Sequence, residues 1–139
     1  MTRTLYLLII LLPALRAQAQ QSAVPPPAAA DPRLYEVFDS VYLSRLATEN
    51  PTLLQRWNYY LDNAFVITGF PEKKGDISRY PAIQIPDTTH LNILALEKRQ
   101  HLARNWDAPV FYRIEGSDKV LMYFSGKEFN RKFRQWLSR

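Results

Sequence analysis

The first thirty residues restrict how much of the chain can contribute to a folded core. Arg3 precedes an apolar block over residues 5–15, which leads into Ala17-Gln18-Ala19. This order is typical of a cleavable secretory signal, and the block is shorter than a membrane-spanning helix, which requires about 20 apolar residues. An uncleaved membrane anchor is the alternative. We therefore expect a signal peptide over residues 1–19, a Pro/Ala-rich leader or linker over 20–30, and a single domain over 31–139.

An exported domain of this size commonly relies on disulfides, yet the chain contains no cysteine. The fold must therefore be held by one hydrophobic core, for which about 110 residues are enough. A lipid-anchored lipoprotein is excluded as well, because its anchor is attached to a cysteine. We expect a periplasmic or secreted bacterial protein, including one associated with the outer membrane, with no transmembrane segment after signal cleavage. The three prolines at residues 25–27 favour an extended spacer ahead of the domain.

Charge is distributed unevenly along the domain. Residues 31–97 contain six Lys/Arg and nine Asp/Glu, whereas residues 98–139 contain ten Lys/Arg and four Asp/Glu, a change from −3 to +6. The C-terminal part is therefore expected to meet anionic partners such as lipid head groups or an acidic protein face. Nucleic acid is excluded as a partner by the expected export. The alternative is that these cations form the solvated face of an element that is buried on its other side.

Two start signals predict a helical hairpin at the beginning of the domain. Asp31-Pro32 and Asn50-Pro51 each place a capping acceptor before a proline at the first helical position. The first helix should end before Asn50, and both helices carry apolar residues at helical spacing. The expected buried residues are Leu34, Val37, Phe38, Val41 and Tyr42 in the first helix and Leu54, Trp57, Leu61 and Ala64 in the second.

The rest of the domain alternates strands and helices. Residues 64–70 predict a strand, and residues 83–85 predict a short strand limited by flanking prolines. Residues 90–104 predict a helix capped by Asp87, Thr88 or Thr89, although a strand over 91–96 is the alternative. Residues 110–125 predict a hairpin around Gly116-Ser117-Asp118. We expect an α+β fold, in which a small and mainly antiparallel sheet packs with the helical hairpin, a middle helix and a C-terminal amphipathic helix.

The C-terminal helix has a recognisable beginning and a clear apolar stripe. Ser125 and Glu128 have the spacing of a capping box. The stripe consists of Phe129, Phe133, Trp136 and Leu137, which we expect to pack on the core. The opposite side of the helix carries a basic face, which is a candidate binding surface. The basic candidates are Lys127, Arg131, Lys132 and Arg134.

Two aromatic residues complete the candidate binding residues. Trp106 lies in an expected loop among polar residues, and Tyr59 shares a helical turn with other rings, so that at least one ring there should point outward. Exposed rings of this kind stack on sugars or contact proteins. Burial of Tyr59 between the sheet and the first helix is the alternative.

No residue pattern identifies a catalytic centre, so the catalytic residues are unknown. His90 and His101 would share one helix face but stand roughly 16 Å apart, too far for a common metal ion. No nucleophile elbow and no phosphate-binding glycine loop occurs. The acidic residues all lie at element ends or turns, where capping explains them. We expect no metal site and no cofactor, and the acidic residues in question are Asp62, Asp87, Asp107, Glu115 and Asp118.

The chain resembles small exported proteins of Bacteroidota. The resemblance is carried by "AQAQ" at residues 17–20, by "LNILALEK" at 91–98 and by "YRIEGSDKVLMYFSGKEF" at 112–129. It implies a periplasmic or outer-membrane-associated location and no chemistry. The expected function is a non-enzymatic accessory protein of the cell envelope that binds another protein or an envelope component. A small glycan or cell-wall hydrolase that uses carboxylates, and a binder of anionic membrane surfaces that uses the basic helix, are the alternatives.

Overall fold

The computed structural model describes residues 29–139, so the expected signal peptide and most of the leader lie outside the described residues. The N-terminal part forms a 3-10 helix (Pro32–Glu36), α1 (Ser40–Glu49) and α2 (Pro51–Asn63). Of the helices within residues 29–139, none has the length and apolar character needed to cross a bilayer.

The single helix predicted before Asn50 is wrong, because the chain breaks at Asp39. The Asp39 side chain accepts a hydrogen bond from the Tyr42 backbone N–H at 2.8 Å and begins α1 there. The break changes the phase of the apolar stripe, so that Val41 and Tyr42 are exposed (68% and 37%), and Leu43 is buried instead. By contrast, α2 begins at the predicted proline and is capped by Asn50, whose side chain accepts from the Leu53 N–H.

Four strands form one sheet in the order β1-β4-β3-β2. The pairs β1–β4 and β3–β4 are antiparallel, and β2 pairs with β3 in parallel. The α+β fold class and the mainly antiparallel sheet are therefore confirmed. The strands are β1 (Phe65–Gly69), β2 (Ala82–Ile83), β3 (Val110–Ile114) and β4 (Lys119–Tyr123).

The middle helix α3 (Ile93–Gln100) is shorter than predicted and has a different cap. Asn92 begins it, since its side-chain oxygen accepts from the Ala95 N–H at 3.2 Å. His101 ends it in the left-handed conformation, with φ of 53°. The expected capping residues at 87–89 instead form a separate polar turn, and the two histidines lie outside α3 rather than on one helix face.

The last helix, α4 (Gly126–Leu137), keeps half of the predicted capping box. The Ser125 hydroxyl accepts from the Glu128 N–H at 3.2 Å, but the Glu128 carboxylate accepts from Arg131 instead of reaching back. The predicted burial is correct for Phe129 and Phe133 and wrong for the last turn. Trp136 and Leu137 are 42% and 43% exposed, because α4 extends past the end of the core there.

The core lies between one face of the sheet and the helices, and α2 is at its centre. This helix packs against α1, α3 and α4. Because side chains of a strand alternate between faces, Tyr112 of β3 enters the core while Phe111 points to the other side, where it packs with Phe70 and Tyr80. The central position of α2 brings its residue Arg56 beside both α4 and the loop that follows α3.

Candidate functional site

A cleft opens where α2, the loop after α3 and the beginning of α4 meet. The loop is held in place by main-chain hydrogen bonds to α4: the Gly126 N–H donates to the Asn105 carbonyl at 3.0 Å, and the Lys127 N–H donates to the Trp106 carbonyl at 3.1 Å. The cleft has a volume of about 260 Å³, and we call it the arginine cleft. It is lined by Arg56, Tyr60, Ala64, Arg104, Asn105, Trp106, Phe124, Gly126 and Phe129.

Arg56 is a partly buried cation that is held by aromatic rings. Its guanidinium carbon lies 5.0 Å from the ring centroid of Phe129 and 5.5 Å from that of Phe133. One of its nitrogens donates to the Asn130 side-chain oxygen at 2.5 Å. Burial, with a smaller contribution from the charge of Arg104, lowers the pKa of Arg56. Within residues 29–139, no carboxylate forms an ion pair with it.

Arg104 faces the same cavity and is partly neutralised. Its guanidinium carbon lies 4.7 Å from the ring centroid of Tyr60, and its Nε lies 4.0 Å from a carboxylate oxygen of Glu97, a residue of α3. At 4.0 Å this contact is a loose ion pair without a direct hydrogen bond. The cleft therefore joins two arginines with one neighbouring carboxylate, and its local charge is positive.

The Glu97 carboxylate is hydrogen-bonded to a tyrosine of the core. The Tyr60 hydroxyl donates a hydrogen bond to it. Tyr60 is almost fully buried, and burial, followed by the nearby negative charge of Glu97, raises the pKa of its hydroxyl well above the ordinary value. Tyr60 therefore stays protonated and keeps Glu97 supplied with a donor, so that the carboxylate remains a fixed acceptor beside Arg104.

Tyr123 of β4 is buried on the other side of the same carboxylate. Burial is also the main cause that raises the pKa of the Tyr123 hydroxyl, with the charge of Glu97 second. Within residues 29–139, however, this hydroxyl has no hydrogen-bond partner of normal geometry. A hydrogen-bonding contribution from Glu97 is among the smaller causes of this raised pKa, so the Tyr123 hydroxyl also lies near the carboxylate, but only Tyr60 donates a well-formed hydrogen bond to it.

Trp106 forms the outer wall of the cleft. Its side chain is 56% exposed, and its six-membered ring lies directly on Gly126. A Cβ atom at Gly126 would stand 2.4 Å from Cε3 of the indole, so only glycine permits this contact. The ring therefore has one side supported by the backbone at the start of α4 and the remainder open to solvent.

A second, wider cavity of about 550 Å³ continues from the arginine cleft along α4. Arg56 and Trp106 line both cavities, so the two meet at these side chains. The other lining residues of the second cavity are Thr52, Lys127, Asn130, Phe133, Arg134 and Leu137.

The structure separates the six predicted binding residues into three groups. Trp106 is at the cleft, as the prediction of an exposed ring requires. Lys127 and Arg134 line the second cavity, where Lys127 forms an ion pair with Asp107. The other three are engaged elsewhere: Arg131 pairs with Glu128, Lys132 lies 3.4 Å from the ring centroid of Phe124, and Tyr59 packs on Phe129, Phe133 and Trp136.

Four of the five acidic residues considered for hydrolysis have a hydrogen-bond or ion-pair partner. Asp62 pairs with Arg33 at 2.7 Å, and Asp107 pairs with Lys127. Hydrogen bonds of Asp87 to Thr89 and His90 lower the pKa of its carboxyl to about 2. Glu115 accepts from the Gln84 amide at 3.0 Å, and Asp118 is in the exposed hairpin turn. Over residues 29–139, no three His, Asp or Glu side chains are grouped to hold a metal ion.

The sequence did not identify three residues of the cleft, namely Arg56, Arg104 and Glu97. Arg56 and Arg104 are 48 positions apart along the chain (104 − 56), and no local motif joins them. The available signals were an arginine among the rings of α2 and another two residues before an exposed Trp106. Searches of family models, of curated proteins and of solved structures gave no match to this chain.

Proposed function

We propose that this protein is an exported, non-enzymatic binding protein of the cell envelope, which recognises an anionic group of its partner in the arginine cleft. The observation that carries the proposal is the pair Arg56 and Arg104 on one cavity. Two cations on one cavity cost free energy unless an anion lies between them. Among residues 29–139, Glu97 is the one carboxylate in ion-pair contact with either arginine, and it is also engaged by Tyr60. An anionic ligand would relieve this repulsion.

The chemistry of the cleft favours binding over turnover. A guanidinium group is a permanent cation with a planar set of donors, suited to hold a carboxylate or phosphate group. It does not exchange protons near neutral pH. Glu97, the carboxylate in contact with Arg104, lies behind the cleft wall and accepts from a tyrosine that stays protonated. These groups hold and orient an anion, which supports the accessory role that we expected from the sequence.

A titration with simple anions tests the proposal. Purified protein would be titrated with inorganic phosphate and with acetate, and the arginine side-chain N–H signals followed by NMR. We expect saturable shifts, and a loss of affinity of about tenfold or more in Arg56→Gln and in Arg104→Gln, since each removes charge-assisted hydrogen bonds. Arg99→Gln is the control, because it removes the same charge from an exposed position that lines neither cavity.

A third variant gives a result of opposite sign. Glu97→Gln removes the negative charge beside Arg104 and should increase anion affinity while it weakens the fold. If Arg99→Gln lowers affinity as much as the cleft variants, binding is due to net charge alone and the proposal is overturned. The export part is tested separately, by the mass of the protein recovered from the cell envelope, which should lack residues 1–19.

The exposed end of α4 favours a second candidate function, peripheral contact with an anionic membrane surface. Trp136 and Leu137 are exposed beside Arg134 and Arg139, and neither arginine has an ion-pair partner within residues 29–139. Tryptophan and arginine together suit the boundary between head groups and acyl chains. Sedimentation with anionic vesicles should then fall as salt rises, and Trp136→Ala should reduce it. Absence of binding at low salt would overturn this candidate.

A further inference from the structure

We propose that the ligand of the arginine cleft is an acidic glycan strand, a chain of sugar residues that carry carboxylates, which continues from the cleft into the second cavity. This inference rests on the proposed function, and it specifies which class of anionic ligand the arginine cleft binds. Its starting point is that the two cavities meet at Arg56 and Trp106. Their walls extend along α2 from Thr52 to Ala64, twelve residues or about 18 Å of helix. A ligand that fills both is therefore longer than one sugar residue.

The aromatic wall favours sugar rings. Trp106 is the residue with an open ring at the junction of the cavities, and its indole is fixed on Gly126. The C–H face of a pyranose packs on such a ring, and the ring loses little conformational entropy on binding because it is already supported. Asn105 adds a hydrogen-bond donor at the same place. Its side-chain oxygen accepts from the N–H groups of Asp107 and Ala108, whereas its NH₂ group donates to no acceptor within residues 29–139.

The cations are spaced along the two cavities and do not form one cluster. Arg104 lines the first cavity, Arg56 lies at the junction, and Arg134 lines the second cavity. Lys127 also lines the second cavity but is paired with Asp107. A ligand with a repeated negative charge can therefore meet one unpaired or loosely paired guanidinium after another. The planar fork of each guanidinium fits a carboxylate through two parallel hydrogen bonds.

The main chain around the cleft disfavours the two competing ligand classes. Phosphate groups commonly bind to free N–H groups at a helix N-terminus, but those of Gly126, Lys127 and Glu128 already donate to Asn105, Trp106 and Ser125. An extended acidic peptide commonly adds to an open strand edge, whereas the walls here are two helices and a loop. A carboxylated sugar chain needs neither feature, because it is recognised through side chains.

Oligouronates of increasing length test the inference. Purified protein would be titrated calorimetrically with the uronic acid monomer, dimer and longer oligomers, with neutral oligosaccharides of equal length and with an oligoglutamate peptide. We expect the affinity to increase with the length of the oligouronate until both cavities are filled. We expect the neutral sugars not to bind. Trp106→Ala should weaken the binding of every length.

Arg134→Gln distinguishes an extended ligand from a single bound group. We expect it to lower the affinity for long oligouronates by about threefold to fivefold, the range of an exposed ion pair, and to leave the monomer unchanged. Equal affinity at every length, or equal binding of oligoglutamate, would overturn the inference while the binding of phosphate and acetate still supports the proposed function. If the simple anions fail as well, the proposed function itself is overturned.

Discussion

The two buried tyrosines beside Glu97 allow a matched test of the cleft. Tyr60 and Tyr123 are 2% and 0% exposed, and replacement by phenylalanine keeps each ring in place, so that no cavity is created. The same substitution removes a bonded hydroxyl at one position and an unpartnered hydroxyl at the other. The two variants should therefore differ in the free energy of unfolding, with a loss of stability expected for Tyr60→Phe and none for Tyr123→Phe.

The expected magnitudes follow from the contacts of each hydroxyl. Tyr60→Phe removes a hydrogen bond to a carboxylate, a type that contributes about 1.5–3 kcal/mol. It leaves Glu97 with the loose contact to Arg104 and with the nearby but poorly aligned Tyr123 hydroxyl. We expect a loss of about 2 kcal/mol. Tyr123→Phe removes a buried hydroxyl that has lost its water without gaining a partner, which costs about 1–3 kcal/mol in the folded protein. We expect that variant to equal the unchanged protein or to be more stable by about 1 kcal/mol.

Urea unfolding monitored by circular dichroism measures both changes, and the slope against urea should be the same in all three proteins. The expected gap between the variants is about 2–3 kcal/mol, well above the error of the method. Equal losses in the two variants, or a larger loss in Tyr123→Phe, would refute the assignment of Tyr60 as the donor to Glu97. The cleft would then have a different arrangement beneath Arg104.

Three further predictions concern the pH response, a helix cap and the cleft wall. Burial raises the pKa of the Tyr60 and Tyr123 hydroxyls above the ordinary value of about 10. Their contribution to stability is therefore complete below about pH 10 and is lost as the pH rises further, at up to about 1.4 kcal/mol per pH unit for each. Urea unfolding of the double variant Tyr60→Phe, Tyr123→Phe should show a smaller alkaline loss than the unchanged protein, and equal losses would contradict this. Asn92→Ala removes the cap of α3 and the donor to a carbonyl of the 3-10 helix at 2.8 Å, and we expect a loss of about 2–3 kcal/mol in the same assay. Asn92→Ser keeps a capping acceptor without adding a buried charge, so it should lose less, and an equal loss would contradict the role of the cap. Gly126→Ala should displace the indole of Trp106 and shift tryptophan emission to longer wavelength. The control is Gly69→Ala, where an added Cβ meets no atom within 4 Å, and it should leave the spectrum unchanged. An unchanged spectrum in both variants would show that Trp106 does not pack on the start of α4.

Much of the fold could be predicted because its signals are local. The Asn50-Pro51 pair begins α2, the turn around Gly116 joins β3 to β4, and Ser125 begins α4. In each case the side chain that satisfies the first backbone N–H groups, or the residue that permits the turn, is adjacent to the element that it starts. The predictions failed where two local signals competed. Asp39 overrode the continuous stripe of the expected first helix, and Asn92 replaced the expected caps at 87–89.

The cleft could not be predicted because its parts come from distant segments. Arg56 belongs to α2, Glu97 to α3 and Trp106 to a loop that is positioned by α4. Sequence spacing describes neighbours on one element, whereas this site depends on how three elements pack around α2. The basic face of α4 is the opposite case, in which residues that are close in the sequence do not form one site. Four cations were predicted as one surface, but Arg131 pairs with Glu128 of the same helix and Lys132 lies over the ring of Phe124.

The sequence by itself determined most of the elements, their order and the positive charge of the C-terminal part, because capping, turn chemistry and apolar periodicity act within a few residues. Only the tertiary structure decided which cations are neutralised and which face a cavity, because pairing depends on side chains that meet after packing. Arg56 is the clearest example. No local motif marks it, yet the packing of α4 on α2 places it against the rings of Phe129 and Phe133 and on the same cavity as Arg104. Within residues 29–139, no carboxylate is in ion-pair contact with it.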